Sequence, residues 1–90
     1  MQQLELKVTG RVQGVGFRFF AQGKANQLGI TGWARNTPDG GVEILAEGER
    51  KELENFVDWI KLGPPLSRVA HVTRNASEKT TGFKEFTIRY

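Results

Sequence analysis

Residues 10–18, GRVQGVGFR, set three glycines and an arginine between a run with strand period and a run with helix period. That combination suits an anion. Glycine backbone adopts positive φ and lets successive N–H groups converge on a ligand as a nest. A helix starting behind the loop adds the positive end of its dipole, and Arg18 brings a permanent charge on a planar fork that spans two phosphate oxygens. Spacing alone leaves a second reading open, an ordinary strand-to-helix turn carrying a solvated arginine. Two nucleotide-binding patterns do not fit, because a P-loop needs Gly-Lys followed by Ser or Thr and the dinucleotide fingerprint needs glycine where Phe19 stands.

The flanking periodicities say which elements must hold this loop. Leu4, Leu6 and Val8 alternate with Glu5, Lys7 and Thr9, the pattern of a half-buried strand. Behind the loop, Phe17, Ala21, Ala25 and Leu28 recur at spacings that share one helical face, and Gly29 suits the left-handed residue that ends a helix. Gly23 lies inside that helix, so either close packing explains it or the helix is weak. Ile30, Gly32 and Ala34 share a strand parity, as do Val42, Ile44 and Ala46, and TPDGG between the two runs makes a hairpin. Leu53, Phe56, Val57 and Ile60 mark a second helix, with Glu49 and Glu52 in its first turn and Gly63, Pro64 and Pro65 stopping it. Strand patterns over residues 68–73 and at Phe86, Ile88 and Tyr90 complete the chain. The order strand, helix, strand, strand, helix, strand, with one more strand at the end, predicts an α+β fold: a ferredoxin-like sandwich with two helices on one face of an antiparallel sheet. The pairing of the last strand stays open.

The run Val8, Gly10, Val12, Gln13, Gly14, Val15, Phe17, Arg18 resembles the first signature of the acylphosphatase family, a hydrophobic residue followed by x-G-x-V-Q-G-V-x-F-R. Residues 32–48, GWARNTPDGGVEILAEG, resemble the second signature at Gly32, Trp33, Asn36, Gly40, Val42 and Gly48, and GPP at 63–65 and the terminal FTIRY also look like features of that family. The resemblance implies the same sandwich fold and an enzyme that hydrolyses acyl phosphates to a carboxylate and inorganic phosphate. It implies that Arg18 binds the phosphoryl group together with backbone amides from Val12 through Gln13, Gly14 and Val15 to Gly16. It also implies that Asn36 orients the attacking water; from spacing alone Asn36 reads as a turn residue before TPDGG. A carboxylate leaving group departs at its own low pKa, so the reaction requires no general acid, and neither a metal nor a cofactor is expected. Inorganic phosphate, as product, should inhibit.

The composition is compatible with this and narrows the alternatives. Ninety residues suffice for one two-layer core, read as a single domain over 1–90. No cysteine is present, which removes disulfides, thiolate metal sites and a cysteine nucleophile. Thirteen Lys and Arg against ten Asp and Glu give +3, enough to favour small anions, and the basic residues are scattered rather than blocked. The first ten residues lack a charged leader with an apolar run, so a soluble cytosolic monomer with no membrane or nucleic-acid partner is expected. RNA-recognition modules share the topology but carry aromatics on their third strand, where this chain reads GVEILAEG. A non-catalytic regulatory or carrier module of the same family is the other rival. His71, Asp39 and Glu43 read as strand, turn and solvent-facing residues, and Trp33 and Trp59 as core or boundary aromatics, with Trp33 falling near the glycine loop.

Overall fold

A computed structural model describes residues 1–90. Its elements in chain order are β1 (Gln2–Arg11), α1 (Phe17–Leu28), β2 (Thr31–Asn36), β3 (Val42–Gly48), α2 (Arg50–Leu62), β4 (Arg68–Ser77) and β5 (Phe86–Arg89). The sheet order is β4-β1-β3-β2-β5. Both helices lie on one face, as the period-2 and period-3.6 patterns require. Leu4, Leu6, Val8, Ala34, Val42, Ile44 and Ala46 from the strands meet Phe17, Ala21 and Ala25 of α1 and Leu53, Phe56, Val57 and Ile60 of α2 in one buried cluster. Phe86 of β5 joins them, its ring edge-on to Phe56 with centroids 6.0 Å apart. No helix is long and apolar enough to cross a membrane.

The sheet departs from the antiparallel expectation at one edge. β1 pairs antiparallel with β3 and β4, and β2 with β3, but β5 runs parallel to β2, with Gly32 opposite Phe86 and Ala34 opposite Ile88. The sheet is therefore mixed. The parallel direction carries the end of β5 toward the same end of the sheet as Asn36.

Trp33 has the boundary placing expected of it but does not lie near the glycine loop, and Trp59 lies outside the core. Trp33 alternates with the buried Ala34, so it stands on the helix-free face, away from the glycine loop, between Arg35 and Arg89 at 5.3 and 4.7 Å from its ring. Trp59 is exposed on α2, with Lys24 of α1 at 3.8 Å from its ring. Glu49 is the extended residue before α2 rather than part of its first turn, which keeps only Glu52.

Gly23 is exposed, and a Cβ there would meet nothing within 4 Å, so packing does not account for it. α1 is simply weakened. Gly23→Ala is expected to raise the unfolding free energy by about 1 kcal/mol, read from urea denaturation midpoints; no gain would mean the backbone there is not ordinary helix.

Glu47 has the parity of a solvent-facing residue, yet it is 1% exposed because the segment between β4 and β5 folds over it. Its carboxylate accepts from Gln3 Nε2 at 2.7 Å and from the backbone N–H groups of Thr81 and Gly82 at 2.5 and 2.9 Å. Burial pushes this carboxyl up, but the N–H of Thr81, the Gln3 amide and the N–H groups of Gly82 and Phe83 together hold it below its ordinary value. A depressed folded value means that the stabilisation is full above the unfolded value of 4.5 and is lost as the pH falls through the folded value. Glu47→Gln puts an amide N–H against a backbone N–H and should cost about 2 kcal/mol at neutral pH. Denaturation at a series of pH values should find the gap between the two proteins closing below 4.5. A gap constant with pH would remove the carboxylate from this role.

Candidate active site

The glycine loop begins where β1 leaves the sheet. Its register against β4 shifts between Thr9 and Gly10, and the chain then turns into the start of α1. Gly14 and Gly16 have φ of 74° and 76°. A Cβ at either would meet nothing within 4 Å, so it is the left-handed backbone and not lack of space that calls for glycine. Gly16 is the residue before α1 and brings no side-chain cap, and the first turn of the helix holds no carboxylate. The positive end of α1 is thus left facing the loop uncompensated.

A cleft of ≈ 230 Å³ opens here, lined by Val12, Gly14, Gly16, Phe17, Arg18, Phe19, Asn36, Ile88 and Tyr90. The loop residues alternate: Val12, Gly14 and Gly16 line the cleft, whereas Gln13 and Val15 do not. Val15 packs against the core. The Gln13 side chain reaches the hairpin instead, its Nε2 donating to the carbonyls of Thr37 and Gly41, each at 2.8 Å. It ties the loop to the turn that follows Asn36, so the two signature segments are held to one another. Asn36 ends β2 on the parity of Ala34, where the strand runs out and its exposed side chain reaches the cleft.

Arg18 is the second residue of α1 and is half-buried. Its Nη1 donates to the carbonyl oxygen of Arg89 at 2.9 Å, and its guanidinium carbon lies 4.7 Å from the centre of the Tyr90 ring. One edge of the fork is thereby fixed and the other donors remain. None of the three ion pairs in the molecule involves Arg18. Its charge is the single side-chain charge lining the cleft. Sequence reasoning assigned no role to Arg89 and Tyr90; the signal was the terminal FTIRY, but nothing in it said where the last strand would lie.

The carboxylates near the site in sequence are turned elsewhere. Asp39 accepts from Thr37 Oγ1 and from the N–H of Gly41, and those two bonds, the Thr37 hydroxyl foremost, hold its carboxyl below the ordinary value. Glu43 pairs with Arg35 at 2.6 Å on the helix-free face. His71 is exposed on β4. No three His, Cys, Asp or Glu side chains come together as metal ligands.

Comparison with known proteins agrees with the signatures. The family model described as Acylphosphatase matches residues 4–88. The acylphosphatase of Thermus thermophilus is 49% identical over 88 residues, 98% of this chain and 99% of that protein. The crystal structure of acylphosphatase from Bacillus subtilis superimposes with a TM-score of 0.98 at 44% identity, covering 100% of both chains. A crystal structure of full-length HypF in its phosphate- and nucleotide-bound form contains a similar unit, with a TM-score of 0.87 and 32% identity over 99% of this chain but 12% of that one. The full-length matches are to enzymes rather than to a unit inside a longer protein, and with the family model spanning residues 4–88 they establish that the chain belongs to the acylphosphatase family, which hydrolyses acyl phosphates.

Proposed function

We propose that hydrolysis takes place in the cleft between the glycine loop, the end of β2 and the end of β5. Arg18 and the backbone amides of residues 12–16, of which Val12, Gly14 and Gly16 line the cleft, hold the phosphoryl oxygens. Asn36 aims a water at phosphorus, opposite the carboxylate oxygen that leaves. As the water oxygen bonds to phosphorus, the bond from phosphorus to the bridging oxygen breaks, and its electron pair departs with the carboxylate. The water gives up its proton to bulk solvent or to phosphate. The conjugate acid of the leaving group has a pKa of about 4, so it needs no proton donor. Charge stabilisation and alignment are then the whole task. An amide suits the water because it accepts from it and donates elsewhere without a shifted pKa.

The observation that carries this reading is the state of Arg18: unpaired with any carboxylate, braced on one edge by Arg89 and Tyr90, and in one cleft with Asn36. Action as a monomer belongs to this reading. The one core cluster shared by both helices and the sheet supports reading 1–90 as one domain. A cytosolic location with no nucleic-acid or membrane partner belongs to the same reading.

The test is hydrolysis of benzoyl phosphate in excess EDTA. Turnover should survive, because charge stabilisation is assigned to Arg18 and the amides. Inorganic phosphate should inhibit competitively. Activity lost to the chelator and restored by Mg²⁺, or inhibition independent of substrate concentration, would overturn the assignment.

A further inference from the structure

The cleft contains more than a grip for phosphate. Phe19 and Tyr90 also line it, 75% and 101% exposed, together with the half-buried Ile88. The core does not ask for Phe19, since α1 buries Phe17, Ala21 and Ala25 and residue 19 falls off that stripe. Helix propensity does not ask for it either, since phenylalanine ranks below the lysine, glutamate or alanine usual at exposed positions. Met1, Leu62 and Leu66 are also exposed apolar residues, but none of them lines the cleft. Apolar surface is therefore gathered beside Arg18: Tyr90 lies against its guanidinium and Phe19 is the next residue along the helix. A substrate whose phosphoryl oxygens meet Arg18 carries its acyl substituent only two bonds beyond the bridging oxygen. The substituent must come to rest against whatever lines the cleft next to that arginine. Because Arg18 is the one charged side chain in the lining, a second carboxylate or phosphate on the acyl group would find no partner there.

We propose that Phe19, with Ile88 and Tyr90, forms the acyl subsite of this enzyme and selects acyl phosphates with an uncharged apolar substituent, aromatic or long aliphatic, over small or anionic ones. The inference rests on the cleft being the site of hydrolysis. Phe19 is the specificity-determining residue to test, because Tyr90 also braces Arg18.

The experiment compares kcat/KM for benzoyl phosphate and acetyl phosphate in the wild-type enzyme, Phe19→Ala and Phe19→Leu. Intrinsic leaving-group reactivity cancels when the benzoyl-to-acetyl ratio of a variant is divided by that of the wild type. This ratio should fall about tenfold in Phe19→Ala, the discrimination expected from partly losing one apolar contact. It should be largely restored in Phe19→Leu, which keeps an apolar side chain. An unchanged ratio with both substrates still hydrolysed would overturn the subsite alone. So would a phosphate inhibition constant that rises in step with the loss on benzoyl phosphate, since phosphate has no acyl group and Phe19 would then be supporting the loop. A wild-type enzyme that hydrolyses neither substrate would overturn the assignment of the cleft, and the subsite with it.

Discussion

Arg18→Ala is expected to raise KM and lower kcat together, a combined loss of about 3 to 5 kcal/mol in transition-state stabilisation. Both constants should suffer because the fork is assigned to the phosphoryl oxygens before and during transfer. The guanidinium is half-buried rather than enclosed, so solvent screens part of its field and the lower end of that range is expected. Removing the side chain also releases the contact with the Arg89 carbonyl and the Tyr90 ring. The conservative variant isolates the charge. Lysine at position 18 keeps it but cannot donate two parallel bonds while a third is held by Arg89, so Arg18→Lys should recover only a part of the loss. Steady-state kinetics with phosphate as a competing ligand measures both effects. A fully active Arg18→Lys enzyme would show that the fork geometry plays no part.

Asn36→Ala should separate turnover from binding. A side chain that only aims the water contributes to the transition state and little to holding phosphate, so kcat should fall by about a hundredfold while KM and phosphate inhibition change little. Asn36→Asp is the sharper change. Nearly isosteric, it places a negative charge beside the phosphate and should weaken phosphate inhibition as well as turnover. Circular dichroism must first find both variants folded. Since Asn36 ends β2 and is exposed, neither substitution touches the core. If Asn36→Ala raised KM and the phosphate inhibition constant together and spared kcat, Asn36 would be a binding or turn residue and the water would have another guide.

The parts of this molecule that obey a simple period were legible in the chain. Leu4, Leu6 and Val8, the pairs of β2 and β3, and the stripes of both helices fall inside as their spacing requires. The glycine loop, Arg18 and Asn36 were legible through two signatures, and the fold brings three of the five loop residues to one cleft with both side chains. What was not legible depends on contacts that no local period encodes. The residues Phe86 to Arg89 specify a strand but not its partner or direction, so the parallel pairing with β2 had no sequence signal. Glu47 has the parity of an outward residue, and only the fold of residues 81 and 82 across the sheet makes it a buried acceptor. The Gln13 brace likewise depends on how far the hairpin stands from the loop.

The bond from Arg18 to the Arg89 carbonyl joins positions 71 residues apart. Closing so long a loop costs chain entropy before any contact repays it, and pairings of this separation form slowly in folding. The helices need no such closure and form from local contacts. During refolding, catalytic activity should therefore return no earlier than the long-range pairings form, those of β1 with β4 (Gln3 opposite Ser77) included. The enzyme's own turnover then becomes a readout of long-range closure in its folding.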